Sequence, residues 1–259
     1  MKINRLNPTP KLVAYLVKFT ARITVFGIML RLYIKDKNQF YEYTTAPVKD
    51  GFNFMHIMWT IFMGLMILHL FPTKILSMGA KKSCSGQFAP VPNYSHNELL
   101  KFVHNENIKA WRCMLCWLAG SAVVGLLFFF RIIGKPELLL LTGFFFVCDY
   151  ICILIFCPFQ TFGQKDRCCV NCRIYDWGHF FMFTPMLFIK SFYSWTLFFM
   201  GTAVIIRWEW LWINHPERFW YGSNRTLNCA NCCDKTCQIK IAVKESVIRK
   251  FKKHRKKHD

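Results

Sequence analysis

Residues 110–156 read AWRCMLCWLAGSAVVGLLFFFRIIGKPELLLLTGFFFVCDYICILIF, and this stretch decides the fold class. It holds two apolar runs, Ala110 to Ile133 and Leu138 to Phe156. Each supplies roughly the 20 helical residues that the hydrocarbon core of a bilayer demands. Arg112 and Arg131 stand only near the ends of the first run. The link Gly134-Lys135-Pro136-Glu137 contains both a glycine and a proline, so it reads as a tight helical hairpin.

Two further runs lie outward from this pair. Phe52 to Phe71 ends at Pro72, and Gly178 to Ile206 continues into Arg207-Trp208-Glu209-Trp210. Trp59, Trp111, Trp117, Trp195, Trp208, Trp210 and Trp212 fall largely toward run ends, where interfacial aromatics belong. Composition agrees: 54% of the 259 residues are apolar, 27 of them are Phe, and 34 Lys and Arg do not bring the mean hydropathy below zero. Leu12 to Ile34 differs, because Lys11, Lys18 and Arg22 gather near one helical face and Leu12, Leu16, Phe19, Ile23, Phe26 and Leu30 occupy the other. That pattern fits an amphipathic helix lying in the headgroup region; crossing would bury or snorkel two charges.

The expected fold is therefore all-α and polytopic. It has about four transmembrane helices, an interfacial N-terminal amphipathic helix and a small Cys-rich C-terminal knuckle. The expected divisions are 1–51, basic N-terminal segment; 52–212, transmembrane helical domain; 213–239, Cys-rich knuckle; and 240–259, basic tail. Met1 to Lys11 is polar, and Lys18 and Arg22 interrupt the apolar stretch that follows, so a cleavable signal peptide is not expected. With four spans, 24 of the 34 Lys and Arg share the side of both termini and 9 take the other. The positive-inside rule then gives cytoplasmic termini, and the cytoplasmic membrane of a bacterium is the expected location. The net charge of +20 is placed at the chain ends and between apolar runs, which argues for anionic lipid as the partner and against nucleic acid.

The 13 cysteines are the informative residues. One group is Cys168-Cys169-Val170-Asn171-Cys172, between Arg167 and Arg173; another is Cys229-Ala230-Asn231-Cys232-Cys233-Asp234-Lys235-Thr236-Cys237. A C-x2-C turn aims two thiolates at one ion, and one or two more complete a four-thiolate shell for zinc or an iron–sulfur cluster. Neighbouring arginines favour the thiolate. Cys168, Cys169, Cys172, Cys229, Cys232 and Cys237 are accordingly the candidate metal ligands. With an iron–sulfur cluster the role is electron transfer near a quinone or a redox partner protein; with zinc it is a structural clasp. Gly178 to Trp212, read as one helix of about 52 Å, carries the two groups to opposite sides. A re-entrant turn at Pro185 and Lys190 is the alternative that lets them share an ion.

With the groups apart, Cys113-Met114-Leu115-Cys116 before the second span and Cys168 to Cys172 after the third form a layout that resembles quinone-linked disulfide-generating membrane enzymes of the DsbB kind. That resemblance implies thiol–disulfide exchange with Cys113 and Cys116 as redox thiols. A non-enzymatic membrane anchor or scaffold is the third reading.

Weaker signals remain. His69 and His179 reach one level on two helices, as axial haem ligands require, although two hydrogen-bonded histidines are the plainer reading. Asp149 lies inside a span and calls for a proton path, an ion site or a buried partner such as Lys190. Asn93 and Asn224 fit the glycosylation pattern. Arg167 to Trp177 and Pro216 to Trp220 look specific without indicating a role. No P-loop, dinucleotide glycine motif, H-E-x-x-H or G-x-S-x-G pattern is present.

Overall fold

The structure is a computed structural model that describes residues 9–45, 54–71, 78–166, 168–232 and 234–243. The basic tail from residue 244 onward lies outside them. The described chain is all-helical and has no strands. Its elements are α1 (Pro10–Lys35), α2 (Lys37–Thr45), α3 (Phe54–Leu70), the single turn α4 (Ala80–Ser83), α5 (His96–Phe129), α6 (Lys135–Leu154), α7 (Gly178–Phe183) and α8 (Phe192–Asn214).

Four helices are long and apolar enough to cross a membrane: α1, α5, α6 and α8. This set differs from the expected four. The run from Phe52 yields only the 17-residue α3, and α1 joins the long helices in its place. Helix α1 packs antiparallel along the whole of α6: Leu12 meets Leu154, Tyr15 meets Tyr150, Phe26 meets Phe144, and Tyr33 donates to Glu137 at 2.8 Å. Arg22, which had argued for an interfacial helix, turns inward and meets Asp149 Oδ2 at 2.7 Å. The apolar side chains of Leu16, Ile23 and Leu30 face outward. Thr9 caps the helix by accepting from Leu12 N, and Pro10 takes the first position, where its missing N–H costs nothing.

The hairpin between α5 and α6 forms as the sequence implies. Helix α5 stops at Phe129, and Gly134 N donates to Glu137 Oε2 at 2.9 Å to open α6.

The stretch from Gly178 to Trp212 is the main correction, because it is not one helix. Six residues of α7 pass into a 3-10 turn, Thr184–Phe188, with Pro185 in its first turn; Ile189 and Ser191 are extended, and α8 then runs back. Proline has no N–H for the helical ladder and clashes with the carbonyl four residues earlier, which ends the α-helix there. The return is antiparallel and close. A Cβ on Gly201 of α8 would lie 3.2 Å from the carbonyl oxygen of His179 in α7. The short leg 178–188 is enclosed by its neighbours: Phe62 of α3 meets Phe183, Trp117 of α5 stacks on Phe181, and Leu138 and Leu139 of α6 join Met182, Phe183 and Met186 in one cluster.

Consequently α1, α3, α5, α6, the leg 178–188 and α8 alternate in direction, and the described residues within 78–95, 155–177 and 215–243 meet at one end of the bundle. There they form a cap. Val91 N donates to Ser223 O at 2.9 Å and Arg225 N to Ala89 O at 2.9 Å. Asp234 joins Lys81 at 2.8 Å and Lys11 at 3.7 Å, tying the cap to the start of α1.

Candidate functional site

The described residues of the two specific-looking motifs, 168–177 and 216–220, build a clamp across the base of the inner leg. Arg173 is only 3% exposed and its guanidinium grips both carboxylate oxygens of Glu209 on α8. Trp177 Nε1 donates to the same carboxylate at 2.8 Å, and Trp208 Nε1 donates to Arg173 O at 2.8 Å. The Trp212 ring lies 4.1 Å from the Arg173 guanidinium carbon, and Phe219 packs edge-on against both Trp208 and Trp212. Buried Lys82 donates to Cys172 O at 2.7 Å above the Trp208 and Phe219 rings, and burial pushes its ammonium pKa down. Spacing alone does not reveal this clamp, because its charged partners lie 36 residues apart in the chain.

Both cysteine groups sit in the cap, at the same end. Cys168 and Cys232 pack against one apolar cluster that includes Leu227. Burial first, and then the neighbouring Cys232, Cys168 and Cys229, push the Cys237 thiol up. These four thiols are therefore neighbours. Cys169 and Cys172, proposed with them from sequence, line a cavity beneath, so the six candidate ligands divide into two sets. All the described cysteines are free thiols. Among the described residues, no three His, Cys, Asp or Glu side chains are already arranged to hold a metal ion.

The cavity holding Cys169 and Cys172 measures about 400 Å³, and Cys148, Cys152 and Cys157 also line it, between the rings of Trp117, Phe145, Phe159 and Phe181. Its thiols differ sharply. The Cys152 thiol, hydrogen-bonded to Cys157, holds the Cys157 pKa down at about 7. Burial pushes Cys169 up to about 11, although Lys240 Nζ lies 3.0 Å from its sulfur. Cys172 is raised by burial as well. Cys113 is buried, with its sulfur beside the Gln164 side-chain amide, whereas Cys116 is exposed on α5. The two members of that C-x2-C pair thus meet different surroundings.

Asp149 finds Arg22 as its partner, not Lys190, which lies in the turn at the opposite end. A second cavity of about 330 Å³ joins this ion pair to His69, Asp176 and His179. The two histidine rings are 4.9 Å apart, His69 Nδ1 is 3.7 Å from Asp176 Oδ1, and Arg207 donates to the His69 carbonyl at 2.9 Å. Rings this close leave no room for a porphyrin between them, and the polar network accounts for the pair. Asn224 is fully buried, with its amide donating to Arg218 O at 2.9 Å, so it serves the fold and does not present a glycan acceptor.

Outside the helices, Asp166 is pushed up to about 7 by burial and by Glu106. Its Oδ2 atom is buried without a hydrogen-bond partner among the described residues. Comparison of the chain with protein-family models, with curated proteins and with solved structures yields no match, so the functional reading rests on the geometry alone.

Proposed function

We propose that this chain is an integral membrane protein whose cap is fastened by a thiolate-bound metal ion, with Cys168, Cys229, Cys232 and Cys237 as the ligands. The observation that carries the reading is the return of the chain at 185–191, which puts both cysteine groups at one end. Cys237, whose thiol is pushed up by burial and by the other three, is in the setting a divalent cation reverses, since a coordinated thiol is deprotonated outright. Closing the shell requires Cys229, Cys232 and Cys237 to draw in around the ion, as metal sites commonly do on loading. A four-thiolate tetrahedron is the usual structural zinc site, so zinc is the favoured ion and a clasp is its role. An iron–sulfur cluster in the same place would instead make the cap an electron-transfer site.

Orientation follows from charge. Among the described residues, Arg31, Lys35, Lys37, Arg131, Lys135 and Lys190 lie toward the end opposite the cap, and more than twice as many Lys and Arg lie at the cap end. The positive-inside rule places the cap in the cytoplasm, a reducing compartment that keeps thiols available for metal.

Elemental analysis of protein purified without chelators tests the proposal. One zinc per chain is expected, lost in the variant Cys232→Ser/Cys237→Ser and retained in Cys116→Ser. Metal-free wild-type protein overturns it, and stoichiometric iron with visible absorbance assigns the electron-transfer role.

The low Cys157 pKa favours a second reading, thiol–disulfide exchange through Cys157 and Cys152 in place of Cys113 and Cys116. A disulfide would pass from a partner onto this pair, releasing two partner thiols. A mixed disulfide trapped by Cys152→Ser, and absent from Cys152→Ser/Cys157→Ser, is its signature.

A further inference from the structure

The bundle leaves a cleft between α1 and α3. Its floor is α6 and the inner leg. The polar cavity described above shares the walls Val25, Met58, Phe62 and Phe146 with a larger one of about 440 Å³, so the two form one continuous cleft. The larger part is mostly apolar, with Met29, Trp59 and Met186 among its walls, and Lys35 lines its far end. The smaller part ends near the cap in Arg22, Asp149, His69, Asp176 and His179, with Lys18 beside them. From His56 to His69, α3 rises about 20 Å along this cleft.

The chemistry at the polar end is incomplete. Arg22 has Asp149, and His69 has Asp176. Lys18 has no partner among the described residues, and His179 Nδ1 is buried without a hydrogen bond. A lone lysine on a spanning helix is costly unless it reaches an anion or the interface. The flanking side chains Ile28, Leu32 and Ile61 are exposed, so the cleft opens sideways toward hydrocarbon and its occupant comes from the bilayer.

We propose that the cleft binds one anionic phospholipid, with its phosphate between Lys18 and His179 and one acyl chain lying along Val25, Phe62 and Trp59. The apolar section and, at the cap end, the unmatched Lys18 beside the buried His179 Nδ1 together fit an amphiphile of that polarity. This site rests on the membrane-embedded reading and is independent of the metal: zinc content and lipid retention are separate readouts.

Native mass spectrometry of the full chain, exchanged in detergent against phosphatidylglycerol or phosphatidylcholine of equal chain length, tests it. One phosphatidylglycerol per chain is expected, retained about tenfold better than phosphatidylcholine. Lys18→Gln should abolish that preference. Val25→Trp, which fills the junction of the two cavities, should abolish retention with helical content unchanged. If Val25→Trp does not fold, Lys18→Gln carries the test. Equal retention of the two lipids, an unchanged preference in Lys18→Gln, or a free fatty acid or quinone found in place of phospholipid overturns the proposal.

Discussion

The inner leg 178–188 and the outer helix α5 are both apolar, yet they solve opposite problems. Along α5, Leu115 is 61% exposed and Phe129 78% exposed. Along the leg, Phe183 is 2% exposed and Met182 3% exposed. An outer helix needs length, because every backbone group facing lipid must be bonded within the helix. An inner leg is shielded by neighbouring helices, so a short, proline-broken path is tolerated. The lesson is that hydrophobicity alone does not count crossings. What surrounds a segment decides how regular it must be.

Breaking the clamp at the foot of the inner leg should have the largest effect. Arg173→Leu leaves Glu209 without its cation in a half-buried site, and such losses cost about 3–5 kcal/mol. Thermal unfolding in detergent should show a large fall in Tm, and Arg173→Leu/Glu209→Leu should recover part of it.

A paired glycine test sharpens the contrast between inner and outer. Gly201→Leu would push into the His179 backbone and should cost about 1–3 kcal/mol, because an overpacked core must shift. Gly120→Leu on α5 meets nothing within 4 Å and should stay within about 0.5 kcal/mol of wild type. Comparable losses at both positions would contradict the inner–outer distinction.

The clamp region also carries a pH dependence. Asp166 is raised from 3.8 to about 7, so the folded protein keeps a proton that the unfolded chain releases. This contribution is full below about pH 4 and is lost as pH rises through 7. The Tm of wild type should therefore decline between pH 5 and 8 more steeply than that of Asp166→Asn.

A reactivity comparison is the mildest probe. Cys157, at about 7, should alkylate with iodoacetamide at pH 7.5 at least tenfold faster than Cys169, at about 11. Mass mapping of the labelled peptides reads the ratio.

Much of the fold was legible, and the exceptions share one cause. The α5–α6 hairpin was readable because Gly134 and Pro136 interrupt two full-length runs, a local signal. The placement of α1 was not, since Lys18 and Arg22 look prohibitive until Asp149, 127 residues away, is seen to neutralise Arg22. The reversal at Pro185 was visible only as an alternative, because a proline in an apolar run ordinarily kinks a helix. At the site, the cysteine groups could be recognised, but not the inward turn of Cys169 and Cys172 or the Arg173–Glu209 clamp. Those depend on which segments meet, and that is set by the reversal.

Labelling Cys168 and Cys237 with a membrane-impermeant maleimide, each as the sole cysteine restored in a cysteine-free background, tests the reversal most directly. Both should react in inverted vesicles and both should be protected in right-side-out vesicles. Reaction of one from each side would mean that 178–214 crosses once, and the shared thiol end would not exist.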